Sequence, residues 1–284
     1  MTVQPYENCD PVPQRTNVRA TNLPCPKKLS AAKAVSDAHK RPLAARLKTT
    51  LRHGWYGPKR QPGRNNALRS RYLGADMIVN LDDEIGYEIA LNRFKWRELK
   101  FMLEACKQFN PEVFVDIGAN LGVYSCVLGR HKAVPRIVAF EPERANFARL
   151  AANVKLNRLD GVVELHEVAL GAKNGSIALS PASPSNRGTS RVAVAAAENA
   201  YDVPVVPLDD ALRIDGRRIA AKIDVEGSEL EVLMGGAQFF TRNAGYAQIS
   251  GHSNQVAGVI AELMAAFGWH VVERVGHDMR FEKA

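Results

Sequence analysis

Asp116, Glu141, Asp224 and Glu226 are carboxylates placed at or just past the ends of short apolar runs. In open α/β sheets ligands bind at the carboxyl ends of the strands. Asp116 sits in Val113-Phe114-Val115-Asp116-Ile117, a run that Gly118 closes, and the loop Gly118-Ala119-Asn120-Leu121-Gly122 follows. Two glycines spaced in this way let a backbone approach a ligand closely, with Asp116 as a fixed acceptor beside them. A dinucleotide site would carry G-x-G-x-x-G here, because a diphosphate must rest on the helix N-terminus. This chain carries D-x-G-x-N-x-G instead. A carboxylate before the turn and an amide inside it suit a ligand that presents an ammonium and hydroxyls better than a diphosphate. Glu141 follows the run Arg136–Phe140, 25 residues beyond Asp116. An acidic residue at that place in such a fold accepts hydrogen bonds from both ribose hydroxyls. Alone, Glu141 reads as a solvated loop acid; paired with the glycine loop, it answers to the same nucleoside.

A second carboxylate pair ends the run that includes Lys222-Ile223-Asp224-Val225-Glu226. Alternation along a strand points Asp224 and Glu226 to one side. Like charges there raise one pKa, so one carboxylate serves as base while the other holds a cationic centre or a substrate hydroxyl. The competing reading is that Glu226-Gly227 only opens the next helix, where carboxylates are stabilised. Asp224 inside an apolar strand weighs toward chemistry. His252, past the run Ala247–Ser250, is an alternative base, since an ordinary imidazole titrates at about 6.5. No third ligand stands close to Asp224 and Glu226, so metal independence is expected. Cys9, Cys25, Cys106 and Cys126 form no C-x-x-C pair, which points away from a zinc site or a redox dithiol. Cys126 is expected to pack as a small hydrophobe in a helix.

The elements that must position these groups alternate. Strands are expected at Val113–Ile117, Arg136–Phe140, Val162–Leu170, Ile219–Val225 and Ala247–Ser250. Helices are expected at Tyr124–Gly129 and Arg144–Leu156, from Leu230 to Phe239, and at Val256–Phe267. Trp269–Val275 with Arg280–Glu282 closes the sheet as a C-terminal antiparallel hairpin. The pattern predicts an α/β fold, a doubly wound Rossmann-like sheet of seven strands. Upstream, a helix is expected at Trp96–Phe109, stopped by Asn110-Pro111. Met77–Val79 and Tyr87–Ala90, around the acidic turn Asp82-Asp83-Glu84, read as a small hairpin. Residues 171 to 218 read as irregular and are expected, with their loop Ser183–Arg191 and the N-terminal segment, to select the acceptor.

Five motifs in order carry a family resemblance: Asp116-Ile117-Gly118-Ala119-Asn120-Leu121-Gly122-Val123-Tyr124-Ser125, Phe140-Glu141-Pro142, Val168-Ala169-Leu170-Gly171, Val206-Pro207-Leu208-Asp209, and Lys222-Ile223-Asp224-Val225-Glu226-Gly227-Ser228-Glu229. Together they resemble the FkbM-type methyltransferases over roughly residues 76 to 275. The resemblance implies S-adenosylmethionine as cofactor, with Asp116, Gly118, Asn120 and Gly122 at its amino acid end and Glu141 at its ribose. It places the adenine near Glu167, Val168 and Ala169, with Glu167 assigned to the adenine amino group and Glu164 close by. Asp224 would face the sulfonium or the acceptor. Where the family pattern has an acidic residue in the next strand, this chain has Gln248. The resemblance implies an acceptor hydroxyl on a sugar, a glycolipid or a natural product.

Charge divides the chain. Residues 1 to 75 hold 15 Lys and Arg against 3 Asp and Glu, whereas the remainder holds 23 against 27. The first quarter also has 8 of the 15 prolines. Residues 1–75 are therefore expected to be a basic extension, disordered to about residue 28 and irregular over 54–71. Between them, from Leu29 to Arg52, a basic amphipathic helix is expected in two pieces split at Pro42, with Leu43, Leu47 and Leu51 as one apolar stripe. Residues 76–284 are expected to form the methyltransferase domain. The basic segment could meet an anionic membrane surface or nucleic acid, or dock its leucines on its own domain. No apolar run approaches the ~20 residues that span a bilayer, and no secretory signal begins the chain, so a cytoplasmic location is expected. Against a nucleic-acid methyltransferase stands the absence of an N/D-P-P-Y/F motif where Asp224-Val225-Glu226-Gly227 lies, together with carboxylates that repel phosphate. A cofactor-binding scaffold without catalysis is the remaining alternative.

Overall fold

The computed structural model describes residues 67–180, 191–192, 200–275 and 277–284. The expected disordered tail, the leucine-stripe helix and almost all of the loop Ser183–Arg191 lie outside those residues. Strands β1 (Ala67–Tyr72) and β2 (Ala75–Asn80) form an antiparallel hairpin, followed by helices α1 (Glu84–Ala90) and α2 (Trp96–Phe109). Next come β3 (Val113–Ile117), α3 (Val123–Arg130), β4 (Arg136–Phe140), α4 (Arg144–Leu156) and β5 (Val163–His166). The segment β6 (Ala169–Leu170), β7 (Gly175–Ser180), β8 (Arg191–Val192), β9 (Tyr201–Val206) and α5 (Leu208–Ala211) intervenes. The chain closes with β10 (Arg218–Ile223), α6 (Glu229–Gly235), α7 (Ala237–Arg242), β11 (Ala244–Ser250), α8 (Asn254–Ala266), β12 (His270–Val275) and β13 (Asp278–Lys283).

The main sheet has seven strands in the order β12-β13-β11-β10-β3-β4-β5. Only β13 runs against its neighbours, so the C-terminal hairpin inserts one reversed strand into an otherwise parallel sheet. Because strand side chains alternate, β3 sends Phe114 into one core, and Val113, Val115 and Ile117 into the other. The first core packs β1, β2 and helices α1 to α4 against one face; the second packs α6, α7 and α8 against the opposite face. A strand covered on both faces reads as a continuous apolar run, which is why β3, β4 and β10 were visible in the sequence.

Five expectations change. Tyr87–Ala90 belongs to helix α1, not to a hairpin strand: Asp83 is its N-cap, and the Asp83 side chain accepts from the Ile85 N–H. The true hairpin pairs β2 with β1, and most of β1 falls inside the segment expected to be irregular. It is held by two buried asparagines, Asn153 of α4 and its C-cap Asn157: Asn153 Oδ1 accepts from the Ile78 amide at 2.7 Å and Asn157 Oδ1 from the Asp76 amide at 2.9 Å. Val162–Leu170 is two strands, β5 in the main sheet and β6 in a second sheet. That second sheet, ordered β6-β9-β7-β8, occupies the region expected to be irregular. Finally, β10 ends at Ile223, so Asp224 and Val225 lie past the strand.

Candidate functional site

A cavity of about 340 Å³ opens at the carboxyl ends of β3, β4 and β10. Its floor is the β3–α3 turn. Gly118 and Asn120 both take left-handed backbone conformations, with φ of +76° and +53°. A Cβ on Gly118 would lie 2.0 Å from the Asp224 carbonyl oxygen, so this turn can pass β10 only as glycine. The Gly118 and Ala119 amides both donate to the Phe140 carbonyl, tying the turn to the end of β4.

Glu141 lies at that end and is 5% exposed. Its Oε2 accepts from the Asn120 amide at 2.8 Å and its Oε1 from the Glu143 amide at 3.0 Å. Each oxygen keeps room for a further donor from the cavity. Burial pushes this carboxyl up to about 7, against the pull of those two amides.

Asp224 stands opposite, between two lysines. Lys95 Nζ, at the left-handed N-cap of α2, reaches Asp224 Oδ2 at 2.5 Å, and Lys222 Nζ lies 3.9 Å from it. Burial raises the Asp224 pKa, but the two ammonium groups outweigh it and hold the carboxyl at about 2. Lys222 also donates to the Gly118 carbonyl at 2.7 Å and lies over the Tyr124 ring. Glu226 lies exposed at the mouth of the cavity, in a left-handed conformation with φ +56°. Partial enclosure and then the neighbouring Asp224 charge push its carboxyl above the ordinary range.

The remaining wall is apolar and comes from the second sheet: Val168, Ala169, Leu170, Ile177 and Leu179, with Phe140 beside them.

A model of the FkbM methyltransferase domain matches residues 116–266, just over half of the chain, from Asp116 in β3 to the end of α8. The chain belongs to the FkbM methyltransferase family. It is 30% identical over 139 residues to a hexuronic acid methyltransferase, AglP, of Haloferax volcanii, a match covering 48% of this chain and 54% of that protein. It is 27% identical over 142 residues to Methyltransferase 1 of Beauveria bassiana, covering 43% and 57% respectively. The chain thus spans little more than half the length of these curated relatives. Among solved structures, an FkbM methyltransferase from Methylobacillus flagellatus superposes with a TM-score of 0.47 at 19% identity, over 61% of this chain and 44% of that one.

Of the positions singled out from sequence, Gly118, Asn120, Glu141, Asp224 and Glu226 line the FkbM-domain cavity. Asp116 stands behind it, fully buried: its Oδ2 accepts from the Ser125 hydroxyl at 2.7 Å and the Ser125 amide at 3.2 Å. Its Oδ1 has no hydrogen bond and lies 3.8 Å from Lys222 Nζ. Gly122 is also set back, since a Cβ there would meet Leu150 Cδ1 at 2.4 Å; it is a close-packing glycine at the start of α3. Glu167 is exposed, 4.0 Å from Arg144, and the cavity wall at that level is Val168 and Ala169. Glu164 is engaged with Arg136 and His166. His252 does not line the cavity: its Nε2 lies 3.0 Å from Glu229 Oε1 and 4.0 Å from Asp224 Oδ1. Gln248 bonds the Glu98 carbonyl and the Tyr246 hydroxyl.

Sequence reasoning missed Lys95, Lys222 and Glu229 as members of this cluster. Lys222 had a signal, an ammonium inside an apolar strand. Lys95 had none, since α2 reaches the site only through the fold. Among the described residues no cluster of three His, Cys, Asp or Glu side chains could hold a metal, and no helix is long and apolar enough to cross a membrane.

Proposed function

We propose that this chain is an S-adenosylmethionine-dependent methyltransferase acting on a hydroxyl of a sugar-type acceptor. The observation that carries this reading is Glu141, a buried carboxylate facing the cavity with one acceptor position open on each oxygen, the group that a ribose diol requires. The donor set fits the rest of the nucleoside. The Val168–Leu170 and Ile177–Leu179 wall suits a flat apolar ring, the Gly118–Asn120 turn admits a close backbone approach, and Lys222 beside Asp224 offers both signs of charge to an amino acid end. Its volume, about 340 Å³, falls at the lower edge of ordinary small-molecule sites.

When bound, S-adenosylmethionine supplies an electrophilic methyl group on a sulfonium. The protein's part is to align an acceptor oxygen and take its proton. Asp224, held ionised at about 2 by its two lysines, is too weak a base for a hydroxyl and acts as fixed negative charge on the cavity wall. Glu226, raised by enclosure and by Asp224, is the base. A relative named as a hexuronic acid methyltransferase supports a sugar acceptor.

The test is transfer from methyl-labelled S-adenosylmethionine into uronic-acid oligosaccharides and into a glycan extract of the source cells. The expected product is an alkali-stable methyl ether; an alkali-labile ester would move the acceptor atom to a carboxylate and overturn the hydroxyl assignment. Glu226→Gln should lower kcat by about 10²- to 10⁴-fold with S-adenosylhomocysteine binding unchanged. Full activity in that variant removes Glu226 as base.

A further inference from the structure

One oxygen in the molecule gathers three donors from two separate loops. Glu229, the first residue of α6, is fully buried. Its Oε1 accepts from the Val225 amide at 3.0 Å and the Gly227 amide at 3.3 Å, and lies 3.0 Å from His252 Nε2. The two amides flank Glu226. Since a carboxylate has no proton to give, the imidazole Nε2 is the donor in the third bond.

The groups so joined are the strained corners of the site. Glu226 and Gly227 are consecutive left-handed residues after β10, with φ of +56° and +106°, and His252 is left-handed after β11, with φ of +50°. A non-glycine residue in that region persists only where its surroundings hold it. Here the holding group is the same carboxylate for both corners. A helix cap would satisfy the first amides of its own helix. Glu229 instead reaches back past Ser228 to the turn that carries Glu226, and across to the corner of another strand. From there His252 stands 4.0 Å from Asp224, which completes a chain from the Glu226 turn to the Lys95–Asp224 pair.

We propose that Glu229 is a positioning residue for methyl transfer: through Oε1 it clamps the Val225–Gly227 turn, with His252 as the strut to β11, and so fixes where the Glu226 carboxylate stands at the cavity mouth. This rests on the reading of Glu226 as the base.

A mutant cycle in the full-length chain tests it, with transfer to uronic-acid oligosaccharide as the rate and calorimetric binding of S-adenosylhomocysteine as the control. Glu229→Ala should lower kcat by about 10²-fold, while Glu229→Gln, which keeps the accepting oxygen, should restore it to within about threefold of wild type. In a Glu226→Gln background the same Ala substitution should cost less than about threefold, because groups acting as one unit are not additive. S-adenosylhomocysteine binding should stay within about threefold throughout. Should Glu229→Ala fail to fold, His252→Ala, which cuts the strut and leaves both amide bonds, carries the cycle, with a drop of about tenfold expected only when Glu226 is present. Additive losses, a Gln variant as impaired as the Ala variant, or a tenfold loss of S-adenosylhomocysteine affinity would each overturn the clamp. Wild-type kcat in Glu226→Gln alone would instead sink the base assignment, and the clamp with it.

Discussion

On the proposed reading Glu141 couples proton binding, folding and ligand binding in one carboxyl, and Glu141→Gln should separate them. Its pKa rises from 4.5 to about 7 because the group is buried. Between those two values the folded protein keeps a proton that the unfolded chain has lost, so stability falls as pH rises across that window and levels off above about 7. The full span corresponds to about 3 kcal/mol. Glutamine has no proton to lose and should abolish this slope. It also leaves the Asn120 or the Glu143 amide facing an NH₂ group, at a cost of about 1–3 kcal/mol that offsets much of the gain at high pH. Urea unfolding at half-unit steps from pH 5 to 8 reads the slope directly.

Ligand binding should run with the opposite sign. Only the ionised carboxyl offers an acceptor on both oxygens beyond its two backbone amides. With a pKa of about 7, the ionised fraction grows about tenfold between pH 6 and 8, so S-adenosylhomocysteine should bind about tenfold more tightly at pH 8. Below pH 7 its binding should release a proton, measurable by calorimetry in buffers of different ionisation enthalpy. Glu141→Gln should weaken binding at pH 8 by about 10- to 150-fold, the equivalent of about 1.5–3 kcal/mol for hydrogen bonds to a charged group, and should flatten its pH dependence. An affinity for the wild type that does not change between pH 6 and 8, or a folding slope that survives in Glu141→Gln, would refute this account of the carboxyl.

The two glycines of the first turn should respond unequally to alanine. At Gly118 the new Cβ meets the Asp224 backbone oxygen at 2.0 Å with φ at +76°, and thermal unfolding should register a loss of about 3 kcal/mol or more together with loss of S-adenosylhomocysteine binding. At Gly122 the obstacle is the Leu150 side chain at 2.4 Å, which can shift, so the variant should fold and keep ligand affinity within a few-fold of wild type despite its φ of +78°. Lys95→Met removes one of the two cations that depress Asp224 to about 2. A depressed carboxyl contributes stability that is present above its ordinary value near 4 and lost as pH falls through the folded value. The acid-unfolding midpoint, followed by circular dichroism, should therefore move to higher pH; an unchanged midpoint would show that Lys95 does not hold that charge.

Sequence spacing led to the cavity because the doubly buried strands β3, β4 and β10 write apolar runs, and each run ends where the fold opens it. The second sheet escaped notice for a physical reason. Its strand β9 is central between β6 and β7 yet contains Pro204, which cannot donate to a ladder, and β7 opens with Gly175-Ser176. The α1 segment misled because a run as short as Tyr87–Ala90 fits either a strand or a helical face, and the Asp83 cap that decides it looks like turn chemistry.

The carboxylates teach a further point. Asp224 and Glu226 are two residues apart, and strand alternation would give them a shared environment and a shared proton. Instead β10 stops at Ile223, the chain turns left-handed at Glu226, and the start of α2 brings Lys95 from 129 residues upstream into an ion pair with Asp224. One carboxyl is thereby held down near 2, while its neighbour is pushed up. Residue type and spacing supplied two interchangeable acids; the difference between a carboxyl held near 2 and one pushed above its ordinary range comes from lysines and a turn that spacing alone does not reveal.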